Sequence, residues 1–281
     1  MLKRTLGRTG AELSLLGLGG IVVAHLPQGE ADRIVSEAVA RGVCYFDVAP
    51  TYGDAQDRLG PALQPYRNHC FLACKTAARG AEESAAELDG SLRALRTDHV
   101  DLYQLHGLVS LDDVEKVFAA GGAMETFVKA KQEGRARFLG FSAHSTEAAL
   151  EALARYPFDS VLFPINFVCW RQANFGPEVL RAAERAGAGR LALKALARTP
   201  WPDRKLAKYD KTWYEPLEDL EVADLALRWT LSQGVTAALP PGEPTCFWQA
   251  LQIAERYTPI TPEEEACLFA AAAELTPIFP Q

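Results

Sequence analysis

Asp47, Tyr52, Lys75 and His106 form a set of side chains able to move a proton. Asp47 closes the apolar run Val43, Cys44, Tyr45, Phe46, and Tyr52 follows in a Pro- and Gly-containing turn. Lys75 ends the segment CFLACK and His106 ends VDLYQLH. A free tyrosine, with a pKa of about 10, is a poor acid at neutral pH; a nearby ammonium stabilises the phenolate and lowers that value. Lys75 supplies the charge, and Asp47 holds the lysine charged and in place. His106 can hydrogen-bond a carbonyl oxygen or share the proton with Tyr52. Such a set suits protonation of an alkoxide as a carbonyl is reduced, and because it offers no hydride a nicotinamide cofactor must be supplied. Taken singly each residue has a duller explanation: an Asp at a turn, a Tyr on a rim, a Lys paired to that Asp, a satisfied histidine. Their joint placement points to an enzyme.

The elements that must position this set can be read from hydrophobic periodicity. Apolar runs of strand length occur near Leu15 to Leu18, Val43 to Val48, Cys70 to Cys74, Val100 to Leu105, Phe138 to Phe141, Val161 to Phe163, Leu191 to Leu193 and Val235 to Leu239. Between them lie segments with helical spacing. Ala31, Ile34, Val35, Ala38 and Val39 fall on one face, as do Leu88, Leu92 and Leu95, and Val222, Leu225, Ala226 and Trp229. Eight strands too apolar for a solvent face, alternating with helices, predict an α/β protein with a (β/α)8 TIM barrel. An open doubly wound sheet is the second choice. The 281 residues carry no linker composition, so one domain is expected over 1–281. In a parallel barrel the C-terminal strand ends share one face and neighbours lie about 4.8 Å apart, which puts Lys75 between Asp47 and His106, with Tyr52 folding back over them.

Around this frame the sequence predicts an N-terminal β-hairpin from Leu2 to Thr5 and Glu12 to Leu16, split by Gly-Arg-Thr-Gly, and an extra C-terminal helix starting at Thr261-Pro262. Two helical pieces, Asp112 to Ala119 and Ala123 to Glu133, are inserted after the fourth strand. An irregular segment after Leu196 carries Trp201, Tyr209, Trp213 and Tyr214. Those aromatics either pin a loop to the barrel wall or line a substrate site.

Composition narrows the partners. The net charge is −7, the pI is about 5.4 and there is no Lys/Arg run, so the overall field repels nucleic acid and anionic membrane. No apolar stretch approaches the roughly 18 residues of a membrane span, and no apolar core follows the basic start of the chain. Six cysteines without CxxC spacing read as buried free thiols of a reducing compartment, with a cytoplasmic location expected and neither a disulfide framework nor a metal site.

The motifs GLGG at Gly17 to Gly20, FDVAPTYG with Leu59-Gly60, LACKT around Lys75, LYQLHG around His106, GFSAHS at Gly140 to Ser145 and PPGEPT near Gly242 resemble, in that order, the aldo-keto reductase superfamily, from about Leu6 to Leu268. The resemblance implies an NAD(P)H-dependent oxidoreductase that reduces an aldehyde or ketone to an alcohol, or the reverse. In it Tyr52 would be the proton donor, Lys75 and Asp47 its tuning pair, and His106 the group orienting the carbonyl. It also implies a cofactor, NADP(H) first and NAD(H) second, lying along Gly19, Gly20, Asp47, Ser142, Lys194, Leu196, Gly242 and Gln252, with its pyrophosphate at a helix N-terminus after strand eight. The expected partner is a small-molecule carbonyl or alcohol.

Several positions depart from the commoner family pattern, all on the cofactor side. Ser142-Ala143 stands where many members have Ser-Asn, and the usual glutamine of strand six becomes Leu162 or Phe163. Leu193 replaces a stacking tyrosine and is followed by Lys194, which can reach a phosphate or the substrate. His144 reads first as a structural hydrogen-bonding residue. Glu243 and Trp248 stand where basic residues are expected, although Gln252 can replace the usual asparagine. These departures motivate an alternative, a nucleotide-sensing or partner-binding barrel with little turnover. A hydrolase or isomerase using paired carboxylates fits less well, because the set contains a single carboxylate.

Overall fold

The computed structural model describes residues 1–279. The chain opens with an antiparallel hairpin, β1 (Lys3–Thr5) and β2 (Glu12–Ser14), then enters the barrel at β3 (Leu18–Gly19). From there strands and helices alternate: α1 (Gln28–Ala40), β4 (Tyr45–Val48), α2 (Ala55–Leu63), β5 (Phe71–Thr76), α3 (Ala81–Ala94) and β6 (Val100–Leu108). The insertion after β6 supplies α4 (Leu111–Phe118) and α5 (Ala123–Gln132), turned on Gly121-Gly122. Then come β7 (Ala136–Ala143), α6 (Thr146–Arg155), β8 (Ser160–Pro164), α7 (Phe167–Ala173), α8 (Pro177–Arg185) and β9 (Gly189–Leu193). The aromatic segment contributes a second hairpin, β10 (Ala197–Pro200) and β11 (Tyr214–Pro216), before α9 (Leu220–Ser232), β12 (Ala237–Leu239), α10 (Pro244–Glu255) and α11 (Pro262–Ala272).

The eight strands β3 to β9 and β12 pair in parallel in chain order, and the ring is closed between the ends by the Leu16–Ala238 bridge. This is the expected (β/α)8 barrel. Each predicted run became a strand, with no bound moved by more than three residues. Side-chain alternation divides two cores, as the pleat requires. Tyr45, Phe71, Ala73, Leu102, Leu162, Leu191 and Leu239 point inward and form the barrel interior, capped from below by Leu6 and Leu13 of the first hairpin region. Phe46, Leu72, Tyr103, Phe141, Val161 and Phe163 point outward into a second core shared with the helices.

The helices bury the faces that periodicity assigned. Ala31, Ile34, Val35 and Ala38 of α1 are buried, as are Ala226 and Trp229 of α9. Gly60 in α2 lets that helix cross the end of α3, where a Cβ would stand 2.2 Å from the Ala94 carbonyl oxygen. The terminal helix α11 starts with a capping box between Thr261 and Glu264, and Arg228 on α9 clasps Glu264 through two bonds of 2.7 Å. All six cysteines are free, five of them buried and Cys267 exposed. Among the described residues no helix is long and apolar enough to cross a membrane, and no group of three or more His, Cys, Asp or Glu side chains could hold a metal ion.

Candidate active site

Parity along the strands builds the site. Tyr45 and Phe71 face inward, so Asp47, Lys75 and, two and four residues beyond Leu102, Gln104 and His106 share the inner face nearer the C-terminal strand ends. Register aligns the layers: Asp47 pairs with Ala73, Lys75 with Gln104 and Gln104 with Gly140. The result is a cavity of about 250 Å³ at the C-terminal mouth, lined by Asp47, Tyr52, Lys75 and His106 together with Gly19, Ser142, Lys194 and Gly242.

Lys75 and Asp47 form an ion pair with both side chains almost wholly buried. The Lys75 Nζ lies 3.5 Å from the Tyr52 Oη, so the phenol, the ammonium and the carboxylate form one chain of contacts. The other carboxylate oxygen of Asp47 accepts from Gln104 Nε2 at 2.9 Å and from the Tyr45 hydroxyl at 3.3 Å. Burial opposes the charge on Lys75, but Asp47 and Tyr52 outweigh it and hold the ammonium above its ordinary value. For Tyr52 the balance differs from the sequence expectation. Burial raises its pKa, Lys75 pulls it back only in part, and Asp47 adds to the rise, so the group stays a phenol with its proton in place.

His106 stands edge-on to Tyr52, with ring centroids 5.6 Å apart. Its Nδ1 lies 3.4 Å from the Thr51 hydroxyl, and Arg79 holds the backbone beneath it by donating to the carbonyl oxygens of His106 and Gly107 at 3.1 Å each. Burial first, then Lys75, His144, Arg79 and Lys194, push the imidazole down to about 3, so it is neutral and free to donate one hydrogen bond. His144 is likewise lowered to about 4 by burial and Lys194, and its ring stacks on Phe279 at 5.2 Å.

The cofactor-side residues separate into two groups. Gly19, Ser142, Lys194 and Gly242 face the cavity, whereas Gly20, Leu196 and Gln252 do not line it. Gly20 is packed on Val48, Leu196 belongs to the outer core and Gln252 is exposed on α10. The Ser142 Oγ accepts from the Gly107 backbone N–H at 2.8 Å, tying β7 to the end of β6. Of the two strand-six candidates Leu162 faces the cavity, while Phe163 stacks outward on Phe175. The aromatic segment splits in the same way. Trp201 pins its loop by donating to the Thr212 carbonyl at 3.0 Å, and Trp213 and Tyr214 line the cavity.

The sequence model of the aldo/keto reductase family matches residues 15–243. The chain belongs to that family. This bears out the resemblance carried by its motifs. An aldo-keto reductase structure from Bacillus halodurans, in its holo form, matches with a TM-score of 0.76 and 25% identity, covering 100% of both chains. An aldo/keto reductase from Brucella melitensis matches at 21% identity and a TM-score of 0.69, covering 96% of this chain and 99% of that one, and shows the fold alone. Among curated relatives, the oxidoreductase YqkF of Bacillus subtilis is 28% identical over 63% of this chain and 60% of its own. L-galactose dehydrogenase of Arabidopsis thaliana is 30% identical over 55% and 52%. These matches span little more than half of those relatives' length.

Within this family member, the residues not anticipated from the motifs are Gln104, Tyr45 and Arg79. Gln104 and Tyr45 carried a signal: each lies two residues before a member of the set and so shares its face. Arg79 carried none, since its contact depends on how the loop after β5 meets the end of β6.

Proposed function

We propose that this aldo/keto reductase reduces an aldehyde or ketone to an alcohol, or runs the reverse reaction, with NADP(H) or NAD(H). The observation that carries the reading is the Tyr52 phenol 3.5 Å from the Lys75 ammonium, itself paired with buried Asp47. The cavity fits a bound dinucleotide at two places. Gly19 and Gly242 line it without side chains, and a Cβ at Gly242 would approach Ile21 to 2.6 Å. Beyond Gly242 the chain turns into the N-terminus of α10, whose free backbone N–H groups suit a pyrophosphate. When bound, the reduced nicotinamide supplies the hydride. The protein supplies the rest. Neutral His106 donates a hydrogen bond to the carbonyl oxygen, and Tyr52 gives its proton to the developing alkoxide. Lys75 stabilises the phenolate left behind, and Asp47, held by Gln104 and Tyr45, keeps Lys75 in place. The apolar wall of Leu162, Leu193 and Leu239 keeps water from the reacting carbon.

The test is oxidation of NADPH or NADH with 4-nitrobenzaldehyde, beside cofactor titration by tryptophan fluorescence. Turnover that disappears in Tyr52→Phe while cofactor affinity stays within about threefold supports the reading. A cofactor-saturated protein that leaves a broad aldehyde panel untouched favours the nucleotide-binding alternative.

A further inference from the structure

We infer that the active-site cavity is built for a carbonyl substrate that also carries a carboxylate, with Lys194 as the residue that recognises it. Lys194 directly follows β9 on the cavity wall, and its backbone lies in the left-handed region at φ +68°, unfavourable for a residue with a Cβ. The conformation is held from behind: Asn166, buried at the start of α7, donates to the carbonyl oxygens of Lys194 at 3.0 Å and Ala197 at 2.7 Å. The strained turn therefore aims one long side chain into the cavity.

There the ammonium meets aromatic faces instead of an acid. Its Nζ lies 4.9 Å from the Trp213 ring centroid and 5.0 Å from that of Tyr214, two rings set at 89° to each other. Among the described residues Lys194 has no ion pair, unlike Lys75, which is matched by Asp47. Two π-faces hold a cation in position but leave its charge largely uncompensated. Burial and the nearby Lys75 lower its pKa to about 8, so it remains mostly protonated at neutral pH. The groups that share this part of the cavity are His106 and His144, both neutral and both able to donate a hydrogen bond. Lys211 also lines the cavity, but its ammonium is engaged by the Val22 carbonyl oxygen at 2.9 Å. Lys194, held only by aromatic faces, and the two neutral donors complement an anionic oxygen group. A carboxylate seated there would form a charge-assisted bond of the strong kind. A cofactor phosphate has the same chemistry. The substrate is favoured because Lys194 couples to His106 and His144, the proton-transfer side, while Gly242 and α10 offer the phosphate cradle.

The inference rests on the reductase reading, so its test includes a readout that needs no turnover. Benzoate and benzamide are titrated against the protein, with and without saturating NADPH, using tryptophan fluorescence, since Trp213 packs on Lys194. Benzoate is expected to bind at least about tenfold more tightly than benzamide, with NADPH present as well as absent, and Lys194→Met is expected to remove the difference. In parallel, kcat/KM is measured for 4-carboxybenzaldehyde and methyl 4-formylbenzoate, two aldehydes that differ in charge. The acid-to-ester ratio is expected to exceed about ten and to fall near one in Lys194→Met, with Lys194→Arg recovering part of it. Equal binding of benzoate and benzamide, or an acid-to-ester ratio near one in the unmodified protein, overturns the inference while leaving the reductase reading in place. Loss of NADPH affinity in Lys194→Met together with displacement of benzoate by NADPH overturns it in favour of the cofactor phosphate. If neither aldehyde turns over, the reductase reading fails and the benzoate titration still decides whether Lys194 binds a carboxylate.

Discussion

Gln104 donates a 2.9 Å hydrogen bond to Asp47 from two strands away, on the carboxylate oxygen that Lys75 leaves unused. The amide is fully buried and its own oxygen has no partner among the described residues. Gln104→Leu is expected to cost about 1.5–3 kcal/mol of stability, the usual worth of a hydrogen bond to a charged group, and to lower kcat. Gln104→Glu should do worse at neutral pH, because it faces Asp47 with a second carboxylate, and should recover relative to Gln104→Leu as pH falls. Urea melts at two pH values check the ordering; equal losses for the two variants at every pH would count against it.

Breaking the Asp47–Lys75 pair separates stability from chemistry. Lys75→Met strands a carboxylate that is almost fully buried and should destabilise the protein by about 3–5 kcal/mol. Adding Asp47→Asn removes that charge, so the double variant is expected to regain most of the stability and none of the activity. Denaturation and aldehyde reduction measured on all three variants test this.

His106 and His144 make the fold sensitive to acid. Their folded values of about 3 and about 4 lie below the unfolded value of about 6.5. Between those limits the unfolded chain binds protons that the native one refuses, so stability falls as pH drops from about 6.5 towards 4. Each imidazole contributes at most about 1.4 kcal/mol per pH unit, less for the part of each ring that solvent still reaches. His144→Asn should flatten the pH dependence of the melting temperature over this window. The pH profile of kcat/KM should show no limb near 6.5, since His106 is already neutral there.

Cofactor choice should be weakly biased. α10 starts after Glu243, whose carboxylate accepts from the Lys211 backbone N–H at 3.3 Å, and Trp248 stands against Phe247 at 4.9 Å. The Arg41 guanidinium, 5.7 Å from the Trp248 ring centroid, is already clasped by Glu255 at 2.8 and 2.6 Å. With no free arginine fork there among the described residues, the tenfold to hundredfold gain that a charge-assisted phosphate contact of about 1.5–3 kcal/mol brings is not expected. NADPH and NADH are expected to bind within about threefold of each other, and Glu243→Arg should shift the ratio towards NADPH. A hundredfold NADPH preference in the unmodified protein would show that another cation does the work.

The base of the barrel is a control for all of these. Leu6 is fully buried in the barrel interior, at the end opposite the cavity. Leu6→Ala should cost about 2–5 kcal/mol, the range for an emptied core leucine, without altering KM for aldehyde or cofactor.

What could be read along the chain was whatever depends on neighbours in sequence. Apolar runs and helical spacing predicted eight strands and their helices, because the periods of 2 and 3.6 are local properties of the backbone. Asp47, Lys75 and His106 come together in the sequence because each ends a strand and the C-terminal ends of parallel barrel strands share one face. Other features arise only when distant segments meet. Burial keeps Tyr52 protonated against the pull of Lys75, since desolvation depends on everything packed around the phenol. Cross-strand register brings Gln104 to Asp47, and the loops after β8 and β9 put Lys194 between two aromatic rings. Of the residues expected along the cofactor, Gly19, Ser142, Lys194 and Gly242 line the cavity, whereas Gly20, Leu196 and Gln252 lie outside it. Spacing orders residues along one strand, whereas only the closed sheet determines which of them share a volume, and with it their charge and solvent.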